Sequence, residues 1–169
     1  HIETYNPGIM NFFVVGPWIH GGWARTDGSF LGNVSFEIEA SAFYRDSIEL
    51  PFFNYYLKDK GTLDFAEATM FMTGKNEWKK FDQWPPKNLE TKKLYLQHNE
   101  TLTFDAPQSS VSDFDEFISD PHKPVPYTED IAFGMTKEYM VDDQRFAARR
   151  PDVLVYETGV LEDDITLAG

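Results

Sequence analysis

Gly16-Pro17-Trp18-Ile19-His20-Gly21-Gly22-Trp23 is the stretch from which the rest of this chain can be read. It follows Phe12-Phe13-Val14-Val15, a short apolar run with the β-branched and aromatic character of a buried strand, predicted over 11–16. Pro17 has no N–H to give a sheet ladder, so the strand should stop at Gly16. His20 is then carried on a loop just past a strand end, flanked by two Trp and followed by two Gly. An imidazole in an aromatic-walled turn, with backbone free to approach closely, suits a general base. Taken alone, the same residues also fit a histidine that merely falls in a glycine-rich loop.

Outward from this stretch, the pattern becomes helical from about Glu37 to Lys58. Ile48, Phe52 and Tyr56 recur every four residues, as do Phe53 and Leu57. Pro51 interrupts the run and should kink the helix or split it near Glu49. Lys58, Lys60 and Gly61 read as a helix end, with positive charge at the negative pole and then a residue that tolerates the left-handed conformation. Beyond Gly61 the period changes. Ala68–Met72, Leu94–Leu96, Thr101–Phe104, Val153–Tyr156 and Ile165–Leu167 read as strands, and 74–76 as a turn. Short strands separated by Pro, Asn, Asp and Gly indicate a sandwich or jelly roll. Pro121, Pro124 and Pro126 mark a long crossing loop. The fold class is therefore mixed, with a boundary near Gly61.

Composition narrows the function classes. The chain has 169 residues, 41% hydrophobic and 16% aromatic, enough apolar matter for a packed core. Its formal charge is −13, concentrated from Asp113 onward, a field that repels phosphate backbones and argues against a nucleic-acid partner. No run approaches the roughly 18 apolar residues of a membrane span, so no membrane partner is expected. Cys is absent, which removes disulfides, thiolate metal sites and cysteine catalysis and is compatible with both cytosol and periplasm. The opening residues, His1-Ile2-Glu3-Thr4, lack an initiator Met and the features of a signal peptide, and read as a processed or excised piece.

The motif GPWIHGGW resembles the segment carrying the catalytic His in the family of α-amino-acid ester hydrolases, glutaryl-cephalosporin acylases and cocaine esterases. These are serine hydrolases related to the X-Pro dipeptidyl peptidases. The likeness continues in order through PFFNYYLKDKG (51–61), Met72-Thr73-Gly74 to Trp78 and on to Trp84-Pro85, SDPHKPVPY (119–127), and DQRFAARRPDVLVYETGVL (143–161). It implies that residues 1–60 form the closing strand and last helix of an α/β-hydrolase fold, carrying catalytic His20. Residues 61–169 would form the first part of an all-β jelly roll, with Gly169 falling inside the sandwich. Missing strands would come from the remaining parts of the parent hydrolase, another chain or a homo-oligomer. The family's jelly roll caps the active site, which makes Phe133, in Ile131-Ala132-Phe133, a substrate-binding candidate in the acyl pocket.

The resemblance also implies a Ser, acid, His triad in that chain order, with His20 last. No Gly-x-Ser-x-Gly elbow surrounds Ser29, Ser35, Ser41, Ser47, Ser109, Ser110, Ser112 or Ser119, and the nearest earlier acid, Glu3, matches no family motif. The parent is thus expected to be an esterase, acylase or dipeptidyl peptidase-like enzyme without a cofactor. It would act on α-amino-acid esters, β-lactam side chains or X-Pro peptides, and this piece alone would be inactive.

Other groups read more plainly. His1, His98 and His122 lack ligand spacing and no HExxH exists, so no metal is expected. Asp113-x-Asp115-Glu116 and Glu162-Asp163-Asp164 lack the glycine of a calcium loop and read as solvated carboxylates. Arg145 or Arg149 is a candidate for an ion pair pinning the two parts together. Trp78 and Trp84 read as closing one end of the β core. The alternative, that they form a sugar-stacking platform, would make the chain a non-catalytic β-sandwich carbohydrate-binding or interaction module. The sequons at Asn33 and Asn99 occur easily by chance.

Overall fold

A computed structural model describes residues 2–108, 114–134 and 136–168. The chain forms two compact units, one running through Asn88 and the other from Leu89 to Ala168. The first contains, in order, α1 (Ile2–Tyr5), β1 (Phe13–Val15), α2 (Gly22–Arg25), β2 (Phe30–Leu31), β3 (Val34–Ser35), α3 (Ala40–Tyr44), a π-helical turn (Arg45–Glu49), α4 (Leu50–Lys58), β4 (Ala68–Met72) and β5 (Glu77–Phe81).

β1 pairs in parallel with β4, matching Phe13 to Ala68 and Val15 to Met70. Parallel partners cannot be joined by a tight turn, and here the crossover is made by everything from α2 to α4. β4 continues antiparallel into β5 through a turn in which Gly74 and Asn76 both have positive φ. The sheet order is β1-β4-β5, and the central strand is the buried one: Ala68, Thr69, Met70 and Phe71 are all enclosed. Ala68–Met72, which the change of period assigned to the sandwich, thus shares a sheet with the strand before His20, and the first compact unit runs on to Asn88. Periodicity records the local conformation of a strand and carries no information about which strand it joins.

The long helical run forms as read, with one difference. Pro51 does not split it; the Leu50 N–H donates five residues back to the Arg45 carbonyl, giving a wide turn just before the proline. In a regular α-helix the Pro51 ring would crowd the Ser47 carbonyl and leave it without a donor, and the wider turn absorbs that conflict. The run ends with Asp59 in the left-handed region and Lys60 N–H on the Asn54 carbonyl, before Gly61 at φ 80°. Phe36, Ala40 and Phe71 form the buried core of this unit, with Trp18, Leu31, Ile38 and Trp78 packed against it.

The second unit has β6 (Tyr95–Gln97) and β7 (Thr101–Thr103), an antiparallel hairpin turning through Asn99 and Glu100, both at φ 59°. It also has a 3-10 turn (Glu138–Met140) and α5 (Arg145–Ala148). Glu157 adds a single parallel bridge beside Thr101. The strands expected at Val153–Tyr156 and Ile165–Leu167 do not form. β-branched residues favour an extended chain, but a strand needs a neighbour with free donors and acceptors, and among the described residues only Glu157 has one. Residues 119–127 are irregular, as their prolines require. The whole is a mixed fold of small sheets with few helices, and no described helix is long and apolar enough to cross a membrane.

Candidate functional site

The loop carrying His20 is built from its glycines and tryptophans. β1 stops at Val15, and the indole of Trp18 folds back over Gly16 so closely that a β-carbon there would overlap its ring. The same indole packs against Trp23, Tyr44 and Trp78, with centroids 6.3, 5.3 and 5.8 Å away. Such ring pairs contribute about 0.5–1.5 kcal/mol each beyond burial, so Trp18 anchors the loop to the core. The Gly22 N–H then closes a turn on the Ile19 carbonyl at 2.8 Å, with His20 and Gly21 in its centre. Gly21, at φ 70° and ψ 9°, has the left-handed conformation that the third position of a type II turn requires. His20, one residue earlier, is exposed on the turn.

α2 follows at once and is only one turn long. The Thr26 N–H and hydroxyl both donate to the Gly22 carbonyl, at 3.0 and 3.1 Å. Arg45 Nη1 donates to the carbonyls of Trp23 and Thr26, at 2.6 and 2.9 Å. Next to this, the Asp27 carboxylate accepts the Ser29 hydroxyl and N–H. The Ser29 hydroxyl is the main reason that Asp27 is held below the ordinary carboxylate value; the Ser29 amide adds to it, and the Arg45 charge adds a little. Tyr44, partly buried against Trp18, is pushed up by desolvation and then by Glu49. A cavity of about 150 Å³ in this unit, between Phe12, Val14, Phe43, Ser47, Phe65 and Thr69, does not include His20.

No protein-family model matches the chain. Over 167 residues it is 25% identical to cocaine esterase from Rhodococcus sp. (strain MB1 Bresler), covering 92% of this chain and 28% of that protein. A solved α-amino acid ester hydrolase superposes with a TM-score of 0.84 at 34% identity, covering 99% of this chain and 28% of the other. An aminopeptidase from a marine sediment Thaumarchaeota archaeon superposes with a TM-score of 0.79 at 38% identity, covering 92% and 26%. The chain is a homologue of cocaine esterase and a structural match to α-amino acid ester hydrolase. It spans little more than a quarter of the length of these hydrolases.

Within this relative of the hydrolases, the remaining sequence candidates fall as follows. Phe133 lies in the second unit and is fully exposed at 103%, with Ile131 at 98%. His20 and Phe133 belong to different compact units. Trp78 sits in β5 with one face stacked on Phe43 at 5.0 Å and its edge against Phe71, so it is packed and offers no free platform. Trp84 is half-buried against Phe13 and Phe81 and gives its backbone N–H to the Glu67 carboxylate. The arginine pairs are local. Arg145 binds Asp143, whose carboxyl is lowered by that hydrogen bond. Arg150, which sequence reading passed over, forms a two-pronged bond with Asp152 at 2.8 and 2.5 Å. Asp115 accepts the Tyr156 hydroxyl, whose pKa it raises. Ser109, Ser110, Ser112 and Asp113, with His1 and Gly169, lie outside the described residues. The hydrogen bonds of Arg45 to this loop were not legible in the sequence, because they span 19 and 22 positions and follow no local period.

Proposed function

We propose that this chain is part of an acyl-transferring serine hydrolase in which His20 is the general base. The observation that carries the reading is the exposed imidazole on a braced turn shortly after the end of a parallel strand, with Gly16 to Ile19 between them. Ligands and catalytic groups of open α/β sheets gather at the carboxyl ends of their strands. Likeness to cocaine esterase and to α-amino acid ester hydrolase supports the reaction class. The nucleophilic serine and the acid of the triad belong to the part of the enzyme outside this chain. His20 Nε2 takes the serine proton as its oxygen attacks the acyl carbon, then returns that proton to the leaving alcohol or amine. A water molecule deprotonated by the same nitrogen then releases the acid and regenerates the serine.

The substrates fitting this chemistry are esters or amides of small acyl groups: α-amino-acid esters, β-lactam side chains or X-Pro peptides. Phe133 is offered as a wall of the acyl pocket on the resemblance alone, to hydrolases whose jelly roll caps the active site. We draw the boundary between the hydrolase part and the β-sandwich part at Asn88, in place of Gly61, on the strength of the pairing of β1 with β4. This piece alone is inactive on this reading. The test is ester turnover by the complete enzyme carrying His20→Ala. Loss of a triad member should lower kcat by about a thousandfold or more, and normal turnover would reject the assignment.

A further inference from the structure

We infer that Arg45 is a positioning residue for His20, holding the short helix that follows the His20 turn from the wide helical turn at Arg45–Glu49. The inference rests on the reading of His20 as general base. α2 has four residues, too few to sustain a helix by its own hydrogen bonds. Its final carbonyls have no helical donors and require partners from elsewhere. The single nitrogen Arg45 Nη1 supplies two of them, Trp23 and Thr26, while Thr26 itself closes on Gly22. α2 begins at Gly22, whose N–H also closes the turn containing His20. A rotation of α2 therefore drags the imidazole with it. A guanidinium suits the task, because it is permanently charged, planar and favourable at the negative end of a helix.

The π-helical turn starts at Arg45, whose carbonyl takes the Leu50 N–H. Pro51 thus influences the direction in which Arg45 leaves the helix, linking a local backbone conflict to the loop of the candidate base. Displacing a catalytic group by about 1 Å can cost on the order of a hundredfold in rate without weakening substrate binding.

The test uses the complete enzyme and an ester substrate, with kcat and KM measured separately and folding checked by thermal melting. Arg45→Ala should lower kcat by about 10- to 100-fold with KM held within about twofold, and Arg45→Lys should fall between the two. A folded Arg45→Ala variant with kcat within about twofold of the unaltered enzyme, or a loss carried only by KM, overturns the inference. If Arg45→Ala does not fold, Arg45→Lys decides. A kcat reduced by about threefold or more at unchanged KM upholds the role, and an equal kcat overturns it. His20→Ala separates the two levels. Its inactivity beside a normal Arg45→Ala enzyme removes only the role of Arg45, whereas its normal turnover removes the general-base reading itself.

Discussion

At Gly16 no side chain fits, because the Trp18 indole occupies the place where a β-carbon would stand. The indole cannot swing away cheaply, since Trp23, Tyr44 and Trp78 hold it on several sides. Gly16→Ala should therefore destabilise the first unit by about 1–3 kcal/mol, the usual cost of overpacking, read as a lower denaturation midpoint at unchanged slope. A midpoint equal to that of the unaltered protein would mean the indole has another resting place. Asp27 gives a second test at the same scale. Its carboxyl titrates below the ordinary aspartate value of 3.8 chiefly because the Ser29 hydroxyl donates to it. A lowered folded pKa stabilises the folded state above the unfolded value, and the contribution is lost as pH falls through the folded value. Ser29→Ala should move the Asp27 carboxyl resonance midpoint upward, part of the way to 3.8, since the Ser29 amide remains. A stationary midpoint would remove the hydroxyl as the cause.

The helix from Ala40 to Lys58 illustrates what an element keeps from its sequence and what it does not. Its extent, its capped end and a disturbance near Pro51 were all legible, because each depends on neighbours within one or two turns. The form of the disturbance was not: a proline removes one donor from the ladder, and the sequence does not say whether the helix then kinks, splits or widens. Pro51→Ala tests the cause. With an amide restored, residue 51 should bond the Ser47 carbonyl, the wide turn should close, and Arg45 should rotate by about 100°, one residue's worth of helix. Couplings across the hydrogen bonds would report Leu50 N–H moving from the Arg45 carbonyl to that of Asp46. Persistence of the original bond would assign the wide turn to packing and absolve the proline. The strands tell a parallel story. Ala68–Met72 formed where its apolar run placed it, whereas Glu77–Phe81, two Lys among its five residues, had no strand signature and exists by pairing with β4. Val153–Tyr156 had the signature and lacks the partner.

Across the whole molecule, the candidate site divides in the same way: the loop that carries His20 past a strand end was legible from Pro17 and the glycines, and the Arg45 hydrogen bonds, made over 19 and 22 residues, were not. The surface carries a further consequence. β1 pairs on one side only among the described strands and exposes Phe13 and Val15, each at 44%. α4 leaves Phe53 and Leu57 uncovered, so the helical period that identified it presents part of its apolar face to water. An open strand edge beside exposed aromatic and aliphatic side chains favours association. The formal charge of −13 opposes it, and that repulsion weakens as salt shortens the Debye length from about 10 Å at 0.1 M to about 3 Å at 1 M. The 169-residue chain should therefore bind an apolar dye such as ANS and grow in hydrodynamic size as salt is raised. On the proposal that the rest of a longer hydrolase covers the strand edge and the helix face, the complete protein should do neither. A chain that stays monomeric and dye-free at high salt would show that its exposed apolar groups do not form an adhesive surface, and would remove the need for a covering partner at β1 and α4.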